Sequence, residues 1–369
     1  MLIKKIDIYL LNIELKHPTR VAIGFANETK NLAIKITADN GLYGWGEASP
    51  CPYITGDSQE TNYQTAKQLA LLIKGKNPLA IETRTQEINS FIVGEPSIRS
   101  AFDMALYDMA AKAANMPLYE YLGGEKRDIR TDMTIFLQDT VDGTVEKARG
   151  ILKAGFDAIK IKVGRSGVDD IAHVQAVREL VGPDIAIKID SNQGWDYPTA
   201  LANLRTMENL NLQYSEQPIP HWDYEGLAWL RNHVNLPICA DESMFDDKDA
   251  LKLIKLGAAD YLNIKLGKSG GIFNALKINA IAEAAGCKCM IGCFKESRLA
   301  LSAAAHLAVA RTNIVFLDLD SAFFLKHDPT IGGMTYSQEI GGVINLPDTP
   351  GHGATLDEKF LSDGNHTCI

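Results

Sequence analysis

The amino-acid sequence predicts an α/β fold: a (β/α)8-type, TIM-like barrel with an N-terminal α+β capping domain that the C-terminal segment completes. From residue 130 onward, short apolar runs alternate with longer amphipathic stretches. The first 127 residues lack this repeat of short apolar runs and amphipathic stretches. The segment after about residue 325 is rich in Gly and Pro. A chain of 369 residues exceeds what one small core needs. We expect a capping domain over 1–127, a barrel over 128–325 and a segment over 326–369 that packs back on the capping domain.

The capping domain begins with two stretches of alternating apolar and polar residues, 1–15 and 31–47. Such alternation is typical of half-buried strands, and the D-N-G sequence inside the second stretch is a turn signal. Three stretches with helical spacing of apolar residues follow, at 58–75, 79–92 and 97–115. In the C-terminal segment, "GGVINLP" predicts one strand.

Eight apolar runs predict the barrel strands. They are "TDMTIFL" (131–137), "AIKIKVG" (158–164), "IAIKIDSN" (185–192), "LQYSEQP" (212–218), "LPICADES" (236–243), "DYLNIKLG" (260–267), "KCMIGC" (288–293) and "IVFLDLDS" (314–321). Helical patterns lie between them, for example at 144–155, 168–181, 274–286 and 298–310. A strand followed by a helix, repeated eight times, indicates a barrel with its active site at the carboxyl ends of the strands.

A doubly wound open sheet is the alternative architecture. Such sheets usually carry a glycine-rich phosphate-binding turn after the first strand. The sequence contains neither G-x-G-x-x-G nor G-x-x-x-x-G-K-[ST], so the barrel is favoured.

Composition excludes several function classes. The formal charge of −9 and the lack of a basic stripe argue against nucleic-acid binding. No apolar run reaches membrane length and no signal-peptide cleavage site follows the N-terminus, so we expect a cytoplasmic protein that acts on a small molecule. The six cysteines are scattered and match neither a zinc site nor a disulfide framework.

Polar side chains lie near the carboxyl ends of the predicted strands. They include Thr134, Lys160, Lys162, Asp190, Glu216, Asp241, Lys265, Asp318 and Asp320. Glu216 follows Asp190 by 26 residues, and Asp241 follows Glu216 by 25. Each step equals one strand and helix, so the three carboxylates should converge at the barrel mouth. A helix N-cap would explain any one of these acids, but it explains the regular series poorly.

Converging carboxylates repel one another unless a cation lies between them. Oxygen ligands without His or Cys favour magnesium over zinc. The sequence therefore predicts one Mg²⁺ per subunit, held by Asp190, Glu216 and Asp241.

Lys160 and Lys162 are two positions apart on one strand, so both should face the barrel interior. Beside each other and a divalent cation, their pKa values should fall below the usual value of about 10.4. Lys265 approaches from the opposite side of the barrel mouth. One lysine could remove a proton next to a carboxylate and the other could return it to the opposite face, which inverts the carbon. Taken alone, the K-I-K sequence could also be a strand with snorkelling lysines.

Six segments carry a resemblance to a known family over essentially the whole chain. They are "KIKVG" (160–164), "IDSNQGW" (189–195), "SEQP" (215–218), "ADES" (240–243), "NIKLGKSGG" (263–271) and "SAFDMALYDMAAKAANMPLYEYLGG" (100–124). The sequence resembles the enolase superfamily, within it the muconate-lactonising subgroup, and within that the dipeptide epimerases, including those of the L-Ala-D/L-Glu and Ala-Ala types. A His–Asp base, as in the mandelate-racemase subgroup, is disfavoured because the seventh strand contains no His.

The resemblance implies roles for individual residues. It makes Asp190, Glu216 and Asp241 the magnesium ligands and Lys162 and Lys265 the acid/base pair. Lys160 would support the substrate carboxylate.

Two acids away from the metal, Asp318 and Asp320, face one side of the eighth strand and call for a cation in the substrate. In similar dipeptide epimerases this D-x-D holds the α-ammonium of the dipeptide. The alternative is that both aspartates cap the following turn. Similar enzymes also contact substrate at the positions of Thr134 and Cys293, although Cys293 could equally be a buried core thiol.

The preferred dipeptide should depend on a lid loop, here 17–31. Similar enzymes that act on L-Ala-L-Glu place a cation in this loop, and the matching position here is near Gly24, with Arg20 the cation in the loop's middle. We therefore expect small or apolar dipeptides of the Ala-Ala type.

Three enzyme alternatives use the same metal and lysines: N-acylamino-acid racemase, o-succinylbenzoate synthase and muconate-type cycloisomerase. They leave Asp318 and Asp320 unexplained, because their substrates lack a free ammonium. A barrel that has lost catalysis is a further alternative. Barrels of this type are commonly oligomers, so a homo-oligomer stays open.

Overall fold

The computed structural model describes residues 1–362 and 366–369. The capping domain, called the lid below, contains a four-stranded antiparallel sheet, three of whose strands come from the N-terminal part of the chain, and four helices beside it. Its first elements are β1 (Ile3–Val21), β2 (Gly24–Ala38), β3 (Tyr43–Ala48), α1 (Gln59–Ile73), α2 (Ile81–Phe91), α3 (Pro96–Ala113) and α4 (Leu118–Tyr121). Two glycines let β3 lie directly on α3, because a Cβ atom at Gly44 or Gly46 would come within 2.0 Å of a carbonyl oxygen of that helix.

The sequence predicts a lid loop at 17–31, and this prediction is wrong. Most of the segment forms the end of a long hairpin. Strands β1 and β2 stay paired as far as Val21 and Gly24, with two residues between them. The ladder shifts register between Glu14 and Thr19, where Pro18 cannot donate a hydrogen bond. Because this bulge interrupts the alternation of apolar and polar residues, the sequence predicts a shorter first strand. The tip rests on the barrel, since the Leu137 amide donates to the Arg20 carbonyl at 3.2 Å.

The barrel is an eight-stranded parallel sheet in which each strand pairs with the next along the chain. After the short β4 (Ile129–Arg130), its strands are β5 (Met133–Ile135), β6 (Ala158–Lys162), β7 (Ala186–Asp190), β8 (Leu212–Glu216), β9 (Ile238–Ala240), β10 (Tyr261–Ile264), β11 (Lys288–Ile291) and β12 (Ile314–Leu317). The sheet curls until its edges meet, and the Leu319 amide donates to Thr131 Oγ1 at 2.8 Å across the seam. The predicted fold class is confirmed.

Seven of the eight barrel strands are followed by α-helices. These helices are α5 (Val141–Lys153), α6 (Asp170–Val181), α7 (Tyr197–Met207), α8 (Tyr224–Arg231), α9 (Asp247–Leu256), α10 (Leu266–Ser269) with α11 (Ile272–Ala284), and α12 (Arg298–Ala310), and a 3₁₀ turn, Glu208–Leu210, extends α7. The eighth unit departs from the prediction, because only a 3₁₀ turn, Ser321–Phe324, follows β12. The chain leaves the barrel there, since Leu325 forms a β-bridge with Leu15 of the lid.

The C-terminal segment returns to the lid, as the fold prediction required. It contains β13 (Thr330–Gly332), β14 (Thr335–Tyr336), β15 (Val343–Asn345), β16 (Ala354–Leu356), α13 (Glu358–Ser362) and β17 (His366–Cys368). Strand β17 pairs with β1, opposite Asp7 to Tyr9, and β15 lies within the predicted "GGVINLP" strand. The domain boundaries after residues 127 and 325 stay a prediction. Within the described ranges, no helix is both long and apolar enough to span a bilayer.

Two buried carboxylates of the lid complete the first turns of barrel helices. Glu47 of β3 accepts hydrogen bonds from the Ser297 amide at 3.0 Å and the Ala300 amide at 3.2 Å, at the start of α12. Asp103 of α3 accepts from the Ile272 amide at 2.5 Å, at the start of α11. Because these amides have no partner inside their own helices, the lid satisfies them.

Candidate active site

All ten predicted site residues lie at the carboxyl ends of the barrel strands. Six of them line one cavity of ≈ 80 Å³: Thr134, Lys162, Lys265, Cys293, Asp318 and Asp320. The other four lie deeper and are buried: Lys160, Asp190, Glu216 and Asp241. The polar groups that the sequence spreads over 187 positions therefore surround one space.

The three predicted metal ligands come from adjacent strands. Asp190 and Glu216 are register partners on β7 and β8, and Asp241 directly follows β9. Lys160 Nζ lies 3.0 Å from Asp190 Oδ2 and 2.8 Å from Glu216 Oε2. The other oxygen of Glu216 accepts a hydrogen bond of 2.9 Å from the Asn263 side chain.

The carboxylates differ in their affinity for protons. Burial, with Asp190 close by, raises the pKa of Glu216 to about 8. Burial also opposes the charge of Asp190, but Lys160 and Lys162 lower its pKa to about 2. The pKa of Asp241 lies below its usual range, because Lys265 and Lys268 outweigh the effect of burial. Asp190 and Asp241 are therefore stabilised as anions by neighbouring lysines, whereas burial disfavours the charge of Glu216.

The residues present fit a hard divalent cation. Three carboxylates on neighbouring strands offer only oxygen donors, which Mg²⁺ prefers. Two more buried oxygens, Asn192 Oδ1 and Glu242 Oε2, have no hydrogen-bond partner among the described residues. Such oxygens are costly to bury unless a ligand or water meets them.

The two predicted acid/base lysines face the same cavity from opposite sides. Lys162 ends β6 and Lys265 directly follows β10, four strands away around the barrel. Lys162 Nζ lies 2.5 Å from Asp190 Oδ2, and Lys265 Nζ lies 2.7 Å from Asp241 Oδ2. Each amine is thus held by a carboxylate of the predicted metal site.

The expectation of lowered lysine pKa values assumed a cation beside the lysines. That expectation stays a prediction, and in this structure Lys160 has carboxylates as its direct partners. Burial disfavours the charge of Lys160, but Asp190, Asp318 and Glu216 raise its pKa well above the usual value. The pKa of Lys265 is also raised, because Asp241 and Glu216 outweigh burial.

The two aspartates after β12 point into the cavity. Asp320 Oδ2 accepts a hydrogen bond of 2.7 Å from the Thr134 amide, and its side chain does not cap the 3₁₀ turn that follows. Asp318 Oδ2 lies 2.7 Å from Lys160 Nζ. Cys293 Sγ and a carboxylate oxygen of each aspartate lie within 4.8 Å of one another. The half-buried Cys293 therefore faces this acidic cluster.

Sequence reasoning missed three residues of the site. Lys268 is buried beside Lys265 and lies 2.6 Å from Asp241 Oδ1. Tyr53 and Lys295 both line the cavity from its lid side. Lys268 could have been noticed three positions after Lys265, and Lys295 two positions after Cys293. Tyr53 had no such signal, because it lies in a loop far from the barrel in sequence.

The lid side of the cavity differs from the sequence expectation. The ring of Tyr53 covers Gly24, since a Cβ atom there would come within 2.4 Å of the ring. Arg20 points away from the cavity and lies 3.5 Å from Asp139 on the surface. Thus neither position 20 nor position 24 offers a cation to the cavity.

A capped barrel with three buried carboxylates and two lysines facing one cavity defines a class, the metal-assisted proton-transfer enzymes. The N-terminal domain profile of mandelate racemase / muconate lactonizing enzyme matches residues 5–123, and the enolase C-terminal domain-like profile matches 143–360. The chain belongs to the enolase superfamily, as the sequence motifs predicted, and it is an isomerase of the racemase and epimerase type.

Individual relatives cover nearly the whole chain. D-Ala-D/L-Ala epimerase of Cytophaga hutchinsonii is 37% identical, and the alignment covers 100% of both chains. The hydrophobic dipeptide epimerase of Enterococcus faecalis is 39% identical over 96% of this chain and 99% of the relative. The crystal structure of the Cytophaga hutchinsonii dipeptide epimerase with Mg and D-Ala-L-Val superposes with a TM-score of 0.97, at 37% identity over 100% of both chains. These relatives support dipeptide epimerase activity, and enolase superfamily members bind Mg²⁺.

Proposed function

We propose that this protein inverts the α-carbon of the C-terminal residue of a dipeptide by Mg²⁺-assisted 1,1-proton transfer. The observation that carries this proposal is the pair Lys162 and Lys265, which line one cavity from opposite sides of the barrel. One lysine removes the α-proton and the other delivers a proton to the opposite face. With the roles exchanged, the same pair catalyses the reverse reaction.

Asp190, Glu216 and Asp241 would hold one Mg²⁺ per subunit. When bound, this ion supplies positive charge that makes the carbon next to the substrate carboxylate more acidic. Lys160, in contact with two of these ligands, adds positive charge beside that carboxylate. The base can act only after losing its own proton, and a divalent cation near the lysines favours that loss.

The acidic cluster after β12 supports a dipeptide substrate over the alternatives. Asp318 and Asp320 would bind the α-ammonium of the first residue, with Thr134 and Cys293 beside it. Substrates of N-acylamino-acid racemases, o-succinylbenzoate synthases and muconate-type cycloisomerases lack this ammonium. Asp318 already contacts Lys160, but the buried Asp320 would then have no cation from the substrate.

For the C-terminal residue, we propose a small or apolar side chain of the Ala-Ala type. Tyr53 lines the catalytic cavity and its ring covers Gly24, which narrows the cavity on the lid side. The Cytophaga hutchinsonii relative is named for D-Ala-D/L-Ala. A cytoplasmic location and a homo-oligomer remain predictions of the sequence.

The test is hydrogen exchange with a dipeptide library in D₂O containing Mg²⁺. We expect Ala-Ala to gain one deuteron at the α-carbon of its C-terminal residue, read by mass spectrometry, and both epimers to appear. An absence of exchange for every dipeptide, together with turnover of an acylated amino acid, would refute the epimerase proposal.

A further inference from the structure

The loop after β11 and the end of β12 bring a thiol next to two carboxylates. Cys293 Sγ, one oxygen of Asp318 and one oxygen of Asp320 all lie within 4.8 Å of one another. The two aspartates are 5% and 3% exposed, and all three residues line the catalytic cavity. The cavity therefore holds a mixed set of sulfur and oxygen donors, separate from the three carboxylates of the predicted Mg²⁺ site.

We infer that Cys293, Asp318 and Asp320 form a second metal site, which takes a thiophilic divalent cation such as Zn²⁺. An ion bound there would occupy the place of the substrate ammonium and inhibit the enzyme while Mg²⁺ stays in its own site. The metal site follows from the donors themselves, whereas the inhibition rests on the proposed epimerase function, because the two aspartates would bind that ammonium.

The spacing of the three donors suits one small cation. Zinc binds sulfur at about 2.3 Å and oxygen at about 2.0 Å in a tetrahedron, so neighbouring ligand atoms are about 3.5 Å apart. Donors that already lie within 4.8 Å of one another need to approach by only about 1 Å to reach this geometry. The fourth ligand would be a water molecule on the cavity side.

The charges around the cluster favour a cation. Asp320 is buried, and among the residues that the structure describes it has no ion pair, although its Oδ2 accepts a hydrogen bond from the Thr134 amide. Asp318 contacts Lys160 at 2.7 Å, so this lysine offsets one of the two negative charges and leaves the other. A buried carboxylate without a counter-ion is unfavourable, and an added cation would relieve this cost.

The thiol determines which cation the site takes. Mg²⁺ prefers oxygen donors, whereas a soft thiolate ligand favours Zn²⁺ and its heavier congener Cd²⁺. Burial, with Asp318, Glu296 and Asp320 close by, raises the pKa of Cys293 well above its usual value, so the metal-free thiol keeps its proton. Binding of the cation forms the sulfur–metal bond and releases this proton to solvent.

The binding test titrates the full chain with Cd²⁺ in excess Mg²⁺. A cadmium–thiolate bond absorbs in the ultraviolet, and Cd²⁺ held by carboxylates alone adds no such band. We expect the band in the wild-type chain, and Cys293→Ser should lose it. Asp320→Asn should need at least about tenfold more Cd²⁺ for the same band, since even groups behind the ligands contribute about 10- to 100-fold to metal affinity. The matched control is Cys287→Ser, at a half-buried free thiol outside the cavity, which should keep the band.

The effect on catalysis is measured with Zn²⁺ at saturating Mg²⁺. We expect Zn²⁺ to inhibit the epimerisation of Ala-Ala by the wild-type chain, and Cys293→Ser should need at least about tenfold more Zn²⁺ for the same fractional inhibition. Additional Mg²⁺ should not relieve the inhibition. Relief by Mg²⁺ would show that Zn²⁺ acts in the Mg²⁺ site, and the inhibitory role of the second site would then be wrong.

The other failures are distinguishable. If the Cd²⁺ band is the same in the wild-type chain and in Cys293→Ser, the second metal site is wrong and the epimerase proposal stands. If the band depends on Cys293 but not on Asp320, the thiol binds the ion alone and the three-donor site is wrong. If the band behaves as expected but no dipeptide exchanges its α-proton, the epimerase proposal fails and the metal site stands.

Discussion

The barrel mouth and the lid contribute different kinds of groups to one cavity. At the barrel mouth the ion pairs form two groups: Lys160 and Lys162 contact Asp190, Glu216 and Asp318, and Lys265 and Lys268 contact Asp241. On the lid side the ring of Tyr53 covers Gly24, and the ammonium of Lys295, from the loop after β11, donates to the Tyr53 hydroxyl at 3.3 Å. The difference indicates that the two regions have different roles. Under the proposed function, the barrel would hold the groups that move a proton, and the lid would hold groups that distinguish side chains.

The largest expected effect comes from removing one barrel lysine. Lys265→Ala should lower the rate of epimerisation by about 10³-fold, because a positioned acid/base group contributes on that order. Exchange of the α-proton should persist from one starting stereoisomer, since Lys162 still faces the cavity. Chiral chromatography and mass spectrometry in D₂O measure the two quantities separately. Exchange lost from both stereoisomers would contradict the two-faced arrangement, and Lys255→Ala is the control.

A smaller effect is expected at the acidic cluster. Asp320→Asn keeps an oxygen that can accept from the Thr134 amide but removes the charge offered to the substrate ammonium. We expect kcat/KM for dipeptides to fall by about 10- to 100-fold, as for a lost hydrogen bond to a charged group. Steady-state kinetics check this value against Asp184→Asn on the surface. If kcat/KM for an N-acetylated amino acid fell by the same factor, Asp320 would not be the group that binds the substrate ammonium.

The smallest expected effect concerns the lid. Tyr53→Val removes the ring between the catalytic cavity and a second cavity of ≈ 480 Å³ under the lid, so larger apolar side chains should fit. We expect kcat/KM for L-Ala-L-Leu relative to L-Ala-L-Ala to rise about tenfold, the scale on which apolar pockets discriminate. Competition between the two peptides measures the ratio directly, with Tyr121→Val as the matched control in the lid. An unchanged ratio would show that Tyr53 does not limit the size of the substrate side chain.

The sequence could predict most of the barrel and its polar residues, because their spacing follows the repeat. Asp190, Glu216 and Asp241 recur once per strand and helix, and neighbouring strands bring them together. The missing eighth α-helix was not predictable from that repeat. It depends on the bridge between Leu325 and Leu15, which are 310 positions apart.

The lid was less predictable because its contacts are long-range. The sequence predicts a loop where the structure has the end of a hairpin, since the bulge before Thr19 breaks the alternating pattern. The position at which similar enzymes place a cation is near Gly24, but the ring of Tyr53 covers Gly24, and Lys295 of the loop after β11 donates to the Tyr53 hydroxyl. No local pattern links Tyr53 to either residue, so their shared wall becomes visible only once the chain is folded.

The two lid carboxylates that cap barrel helices have a consequence for the cooperativity of unfolding. If the lid detached, amides at the first turns of α11 and α12 would lose their acceptors while the helices remained partly buried. The largest apolar cluster is also continuous across both parts. Lid and barrel should consequently melt in a single calorimetric transition, and neither should persist as a stable fragment without the other.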